Sequence, residues 1–257
     1  MTELTNRVIL VAGATGSIGA AVAAELNAAG ATVIAHGQSL ETASRLAALM
    51  ESRSPAASTI PEFADLCDLQ QTREMFERIA SRFASLDGLV NCVQARTEGV
   101  TGRFEEVEPG KFPERILTSF LPLMHLCHVA IPLLRAAKTA SIVTYASDAG
   151  KVAFPGQALT GPVMAGIIMF TRTLALELSR DGIRANCISP TFVRDTATYD
   201  RSIGSGAQSR ALSAEKRAGL GLPGPDDLAK LTRFLSGDGA SHLTGQVISV
   251  NGGLTAA

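Results

Sequence analysis

Short runs of β-branched and aliphatic residues alternate with longer amphipathic segments along the whole chain. This alternation is typical of βαβ units, in which helices cover both faces of a parallel sheet. We predict seven strands, at residues 7–12, 32–36, 58–65, 88–93, 141–145, 183–188 and 246–250. We predict helices at residues 18–29, 41–51, 70–83, 112–135, 163–180 and 226–236.

The third predicted strand contains a proline, Pro61. Because proline cannot donate to a strand ladder, this strand belongs at a sheet edge. A doubly wound, Rossmann-like sheet in the order 3-2-1-4-5-6-7 places it there. We predict one α/β domain over residues 1–257, with the long connection 190–224 as a mobile functional flap. Its centre is the sequence Gly204-Ser205-Gly206.

Composition excludes several classes of protein. The 23 Lys and Arg residues balance 24 Asp and Glu residues, and this near-neutral charge argues against a nucleic-acid binder or a protein of acidic membrane surfaces. The four cysteines form no CxxC spacing, which predicts buried thiols in a reducing compartment. The first apolar run, residues 8–12, is too short for a signal-peptide core, so we expect a cytoplasmic protein.

Residues 116–134 contain no Asp, Glu, Lys or Arg, which makes a membrane span one alternative. The segment also contains Pro122, Pro132 and two histidines, His125 and His128, so we favour a buried helix. The histidine pair could suggest a metal site, but the sequence offers no third ligand, and we predict buried or interface histidines and no metal.

A glycine-rich turn follows the first strand and opens a helix. Gly13, Gly16 and Gly19 are spaced three apart, and Ser17 and Ile18 lie between the last two. Backbone N–H groups and the helix dipole at such a turn suit a pyrophosphate. A tight strand-to-helix turn without a ligand is the alternative.

Other motifs support the interpretation of this turn as a pyrophosphate-binding site. Asp65 follows the third strand, and Leu89-Val90-Asn91 lies in the fourth. The remaining motifs are Ser147-Asp148-Ala149-Gly150, residues 182–190 (GIRANCISP) and residues 243–253 (LTGQVISVNGG). Over nearly its whole length the chain resembles the short-chain dehydrogenase/reductase family. The resemblance implies a cofactor, NAD or NADP, held by Gly13, Gly16, Ser17, Ile18, Gly19, Asp65 and Asn91.

The resemblance also implies a catalytic set that this chain does not keep. Ser147 matches the family serine, but the tyrosine and lysine positions, 13 and 17 residues later by the family's spacing, hold Thr160 and Met164. Ser119 stands at the helix-four asparagine position. A threonine is too weak an acid to replace a tyrosine whose pKa a nearby ammonium lowers. Tyr145, Asp148, Lys151 and Tyr199 remain as candidate acids or bases, with Tyr145 favoured as a core residue.

The cofactor positions depart from the family pattern as well. Cys92-Val93-Gln94 replaces Asn-Ala-Gly, Thr191 replaces a glycine, and Asp195 stands where a threonine is usual. His36-Gly37-Gln38 carries neither the acid typical of NAD users nor the arginine of NADP users. We therefore expect weak nicotinamide dinucleotide binding or none.

We hypothesise a catalytically incomplete subunit that is the structural partner of an active NAD(P)-dependent hydroxyacyl or ketoacyl-type dehydrogenase. The alternatives are an enzyme in its own right, a reductase using Ser147 with an unconventional acid or a redox-free lyase or isomerase, and a dinucleotide-binding sensor without turnover. Residues 163–178 and 116–134 are apolar around most of each helix, which predicts a covered surface. We expect a hetero-oligomer with a catalytically complete homologue, or else a homotetramer.

Overall fold

One seven-stranded parallel sheet organises the chain, in the order β3-β2-β1-β4-β5-β6-β7. The computed structural model describes residues 3–53, 58–94, 99–203 and 208–256. The strands are β1 (Val8–Ala12), β2 (Thr32–Gly37), β3 (Thr59–Phe63), β4 (Gly88–Asn91), β5 (Ala140–Tyr145), β6 (Ile183–Pro190) and β7 (Val247–Val250). The predicted order is confirmed, and Pro61 lies on an edge strand, opposite Ala35 of β2.

Helices cover both faces of this sheet. They are α1 (Ser17–Ala28), α2 (Leu40–Arg53), α3 (Leu69–Ala80), α4 (Lys111–Ala136), α5 (Thr160–Leu178), α6 (Ala197–Ile203), α7 (Gln208–Arg217) and α8 (Pro225–Ser236). The strands and the six predicted helices differ from their predicted bounds by up to three residues at an end. The Rossmann-like class is therefore confirmed.

The alternation of side chains along each strand divides the core into two layers. Leu10, Leu89 and Ile142 face the layer that contains α3, α4 and α5. Their strand neighbours Val11 and Val90 face the layer that contains α1 and α8. Since both faces of a parallel sheet are buried, the strands form as almost unbroken apolar runs.

The flap contains more regular structure than the sequence predicted. The segment was expected to be a long loop, but α6 and α7 both lie within residues 190–224. Tyr199 and Phe192 pack there against a small cluster of Ala214, Ala218 and Leu222. The polar composition of these helices hid them, because this cluster gives them only a narrow apolar stripe. Gly204, Ser205 and Gly206 lie outside the described residues.

The helices α4 and α5 keep large apolar side chains exposed. Five of these, spread over both helices, are Ile116, Leu117, Met124, Met169 and Leu176. By length and composition, segments 111–136 and 160–181 could each cross a membrane, but core helices of soluble proteins pass the same test. Both helices pack on the sheet here, so the unusual feature is the uncovered apolar face of each.

The expectation of a buried thiol is wrong for one cysteine, and the two histidines of α4 lie in different surroundings. Cys67 was expected to be buried, but it is exposed in a turn where its N–H donates to Asp65 Oδ1 at 2.9 Å. His128 is exposed in the single chain, whereas the half-buried His125 contacts the Leu66 carbonyl through Nδ1 at 3.0 Å. Among the described residues, no group of three or more His, Cys, Asp or Glu is placed to hold a metal.

Candidate functional site

The glycine-rich turn carries the chain from β1 into α1 at the carboxyl edge of the sheet. Gly13 adopts a left-handed φ of +75°. A Cβ at Gly19 would lie 2.1 Å from the Gly13 carbonyl oxygen, so only glycine fits there. Gly16 is the N-cap and offers no capping side chain, and the first turn from Ser17 onward contains no acidic residue. The helix end therefore presents backbone N–H groups to an anion.

His36 fixes this turn from the neighbouring strand β2. The Gly13 N–H donates to His36 Nδ1 at 3.2 Å, and Nε2 lies 3.1 Å from the Ala64 carbonyl oxygen. This pair of contacts requires the neutral ring with its proton on Nε2. Burial lowers the pKa of His36 below its ordinary value of 6.5, against opposing effects of the Ala64 carbonyl and Asp65. His36 thus acts as a bridge between the ends of β1, β2 and β3.

The other two residues expected beside a cofactor lie along the same edge. Asp65 is exposed, and its carboxylate accepts from the Cys67 N–H. Asn91, at the end of β4, is 1% exposed, and its Oδ1 accepts from the Val93 N–H at 3.4 Å. Carboxyl ends of parallel strands meet at one edge, so these residues and the glycine-rich turn form one continuous rim.

Ser147 follows β5 on this rim, and its Oγ accepts from the Ala149 N–H at 3.3 Å. The start of α5 lies directly against the next turn: a Cβ at Gly150 would be 2.7 Å from the carbonyl carbon of Met164. Thr160 and Met164 therefore belong to the helix that packs beside the Ser147 segment. A threonine hydroxyl is a far weaker acid than a tyrosine phenol, and a methionine thioether has no acidic proton.

Two hydroxyls at the altered positions have no hydrogen-bond partner among the described residues. They are Ser119 Oγ on α4 and Thr160 Oγ1 on α5. Ser119 is 2% exposed. An unpaired buried hydroxyl costs free energy unless water or a ligand reaches it, so these positions form a polar remnant rather than a repacked apolar core.

Asp148 is the centre of the hydrogen bonds around Ser147. Its carboxylate is fully buried, and Lys151 Nζ lies 3.3 Å from Oδ1. Five further donors contact it at 2.5–2.9 Å, namely Ser189, Thr191, Ser249, Asn251 and Thr255. These residues belong to β6, β7 and the segments that follow them, so one carboxylate connects the ends of three strands.

The same contacts determine the charge of Asp148. Burial alone would raise its pKa, but hydrogen bonds from Asn251, Ser249, Ser189 and Thr191 outweigh burial and lower the pKa to about 2. Asp148 is therefore ionised at neutral pH and has no proton to donate. Lys151 is bound to Asp148 and to Ser249 Oγ.

The two tyrosines lie elsewhere. Tyr145 is 3% exposed, and its hydroxyl is 2.6 Å from Thr232 Oγ1 on α8, in the core layer opposite α5. Burial raises its pKa well above 10. Tyr199 packs in the flap, where burial and then the charge of Glu215 raise its pKa. The core placement of Tyr145 is the one that the sequence favoured.

Comparison with known proteins identifies the family. A family model described as enoyl-(acyl carrier protein) reductase matches residues 13–255. The chain is 30% identical over 253 residues to the 3-oxoacyl-[acyl-carrier-protein] reductase FabG of Thermotoga maritima, covering 98% of this chain and 99% of that protein. The chain belongs to the short-chain dehydrogenase/reductase family.

Other short-chain dehydrogenases/reductases resemble it equally along their length. The 7alpha-hydroxysteroid dehydrogenase of Bacteroides fragilis is 27% identical over 255 residues, covering 99% of this chain and 96% of that protein. A solved short-chain type dehydrogenase/reductase from Mycobacterium ulcerans superimposes with a TM-score of 0.89 at 24% identity, over 98% of this chain and 90% of the other. The relatives are oxidoreductases, and the solved structure supports the shared fold.

A nicotinamide dinucleotide, the cofactor that this family implies, fits one half of the rim. The N-terminal end of α1 has no capping side chain, and Gly19 leaves no room for a Cβ beside the Gly13 carbonyl. Both features suit a diphosphate. Beyond β4 the fit ends, because Gln94 Nε2 donates to the Tyr145 carbonyl at 3.1 Å and spans two strand ends. Thr191 donates to Asp148 at 2.9 Å. Both side chains stand where the family has glycine, so we derive no chemical step through a nicotinamide.

Sequence reasoning missed the partners of Asp148. Asp148 was a candidate acid, but Ser189, Ser249 and Asn251 were noted only as parts of family motifs, and Thr255 was not considered. The available signal was the number of short polar residues at the ends of β6 and β7. Asp195, the other expected departure, is exposed with a left-handed φ of +58°.

Proposed function

We propose that this chain is a catalytically incomplete short-chain dehydrogenase/reductase subunit. It serves as the structural partner of a catalytically complete, NAD(P)-dependent homologue of the hydroxyacyl or ketoacyl type. The supporting observation is that Thr160 and Met164 lie beside the Ser147 segment while the remaining candidate acids are engaged elsewhere. The 3-oxoacyl reductase among its relatives supports the ketoacyl class.

Three of the four candidate substitutes for the missing proton donor have a structural role instead, and the fourth, Tyr199, packs against the small cluster in the flap. Asp148 is ionised and surrounded by donors, Lys151 is paired with it, and Tyr145 is bonded to Thr232 in the core. General acid catalysis contributes about 10²- to 10⁴-fold to a rate. A chain without a donor at the carbonyl therefore lacks a large part of the family's rate acceleration.

The uncovered face of α4 and α5 supports the assembly half of the proposal. Leu176 is 79% exposed and Met169 59% exposed on α5, and Leu117 is 52% exposed on α4. The two helices contact each other through the rings of Phe120 and Phe170, whose centroids lie 5.7 Å apart. A contiguous apolar face of this kind is typical of an interface rather than of a solvated surface. In a dimer of this family the same two helices pair across the contact.

The catalytic half is tested with the purified chain and a panel of ketoacyl, hydroxyacyl and hydroxysteroid substrates, with each of the four nicotinamide cofactors. We expect no turnover above background. Turnover of about 1 s⁻¹ or faster that Ser147→Ala abolishes would contradict the proposal and favour an independent enzyme.

The assembly half is tested by co-expression with a homologue from the same genome that keeps the Ser, Tyr and Lys set, followed by native mass spectrometry. We expect mixed oligomers. Leu176→Glu should dissociate them, whereas Leu49→Glu, at a residue 49% exposed on α2, should not. Exclusive homotetramers would refute the partner claim, and a stable monomer would refute assembly.

A further inference from the structure

A cavity of about 340 Å³ opens at the amino ends of β5 and β6. The glycine-rich turn and Asp148 lie at the carboxyl edge of the same parallel sheet, so the cavity is on the opposite edge from the candidate site. Its walls come from the start of β6, the end of α5 and the loop between α8 and β7. The polar residues around it are Thr139, Ser179, Arg184, Asp238, Ser241, His242 and Thr244.

Two guanidinium groups at this cavity share a single carboxylate. Arg7, which enters β1, pairs with Asp238 and donates to Thr139 Oγ1 at 3.4 Å. Arg184, on β6, donates through Nη2 to the Gly237 carbonyl at 3.3 Å. Its other terminal nitrogen, Nη1, is buried and has no hydrogen-bond partner among the described residues. The cavity wall therefore contains a guanidinium with an unmet donor.

The charge balance explains why an anion would be stabilised here. Burial lowers the pKa of Arg184 first, the neighbouring positive charge of Arg7 lowers it further, and the carboxylate of Asp238 offsets part of this decrease. An anion in the cavity would offset both effects, because it replaces lost hydration and neutralises the repulsion between the guanidiniums. Guanidinium groups bind phosphate and carboxylate oxygens through paired N–H donors.

Neutral donors complete the arrangement. Thr244 Oγ1 accepts from the Ala185 N–H at 3.1 Å, which leaves its own hydrogen available to donate. The hydroxyl of Ser241 lies at the exposed mouth of the cavity, whereas that of Ser179 already donates to the Leu176 carbonyl at 3.0 Å. Several hydroxyls beside a guanidinium suit a tetrahedral oxyanion better than a planar one, because a phosphate offers acceptors in three directions.

We propose that this cavity binds a phosphate group. The volume exceeds that of a free phosphate ion, so a small phosphate monoester fits as well as inorganic phosphate. The proposal is independent of the catalytic state of the subunit, since no residue of the rim around Ser147 takes part. It assigns to Arg184 the role of a ligand-binding residue at the edge opposite the candidate site.

The test is isothermal titration calorimetry of the full-length oligomer at low salt, with inorganic phosphate as the first probe and glycerol 3-phosphate as the second. We expect saturable binding of phosphate with one site per chain and a dissociation constant below about 10 mM. Tighter binding of glycerol 3-phosphate would identify a phosphate ester as the ligand, and equal binding would identify free phosphate.

Three variants distinguish a specific phosphate site from nonspecific electrostatic attraction of phosphate to the protein. Arg184→Gln should weaken binding at least tenfold. Because that change could impair folding, Ser241→Asp provides a second variant at an exposed position of the cavity mouth and should also abolish binding. Ser81→Asp adds the same charge at an exposed position at the end of α3 and should leave binding unchanged. Absence of saturable phosphate binding, or equal binding by Ser241→Asp and the unaltered chain, would overturn the proposal.

Discussion

The carboxylate of Asp148 accepts a hydrogen bond from the side-chain amide of Asn251 at 2.5 Å. This contact joins the turn after β5 to the segment after β7, across 103 positions of sequence. It places a carboxylate that already accepts several hydrogen bonds next to Ser147, at the position of the serine that the family uses for catalysis. This part of the rim is thus a polar network centred on an ionised carboxylate.

Replacing Asp148 with Asn should destabilise the fold by about 3 kcal/mol, because it leaves the ammonium of Lys151 without its buried partner. Chemical denaturation of the purified protein measures this loss. Glu105→Gln, which breaks an exposed pair with Arg103, should cause no measurable change. Equal stability of the Asp148→Asn and Glu105→Gln proteins would show that the network around Asp148 is not structural.

The Asp148 pKa also predicts acid sensitivity. The folded-state pKa, about 2, lies below the ordinary value of 3.8, so the unfolded chain binds more protons between these values. The free energy of unfolding should therefore fall as the pH drops from about 4 to about 2. The Asp148→Asn protein should lose part of this slope, which denaturation at a series of pH values would detect. An unchanged slope would contradict the assigned ionisation.

His36 predicts a second pH effect in a separate range. Because burial holds its pKa below 6.5, the folded chain binds fewer protons than the unfolded chain, and stability should decrease as the pH falls below about 6.5. His36→Gln keeps one acceptor and one donor and should flatten this dependence. His128→Gln, at an exposed position of α4, should retain it. Parallel profiles for all three proteins would refute the role of His36.

The glycine-rich turn offers a matched pair of substitutions. Gly19→Ala should cost about 2 kcal/mol or more, because the added Cβ would lie 2.1 Å from the Gly13 carbonyl oxygen. Gly16→Ala should be tolerated, since its Cβ would lie 3.5 Å from the same atom. Thermal unfolding of the two proteins provides the comparison. Similar melting temperatures for the two proteins would show that Gly19 does not lie directly against the Gly13 carbonyl.

Nicotinamide dinucleotides should bind the chain with dissociation constants above about 100 μM, or about -5.5 kcal/mol. The Gln94 side chain, held on the Tyr145 carbonyl, is one obstacle, so Gln94→Ala should strengthen binding several-fold. Gln70→Ala, at an exposed position of α3, should not. Calorimetry with the oxidised and reduced forms of both cofactors decides this, and micromolar binding by the unaltered chain would favour a dinucleotide sensor.

The sheet was predictable because its signals are local. Each buried strand is a short aliphatic run between polar turns, and Pro61 placed β3 at the edge without any knowledge of its neighbours. The flap helices α6 and α7 were missed because their apolar partner, the cluster around Leu222, is assembled from distant segments. Cys67 was misjudged because its neighbour Leu66 is buried while the Asx-type turn at Asp65 directs the thiol outward.

For the candidate site, the sequence predicted which positions come together but not the contacts of their side chains. Spacing from Ser147 located Thr160 and Met164, and the packing of Gly150 on α5 agrees with that register. The environment of Asp148 could not be predicted, since its donors come from three strand ends that periodicity does not relate to one another. The cavity beside Arg184 likewise could not be predicted, because it forms between segments that are distant in sequence, the start of β6 and the loop after α8.

Pro61 also restricts how the sheet can grow. At the β3 edge the proline leaves one backbone position without an N–H for an added strand, whereas none of the four residues of β7 is a proline. Of the two sides of the sheet, the β7 side is thus the better suited to strand pairing with another chain. The two edges of the sheet are thus chemically unlike, which favours growth of the sheet in one direction over a fibre that extends from both edges.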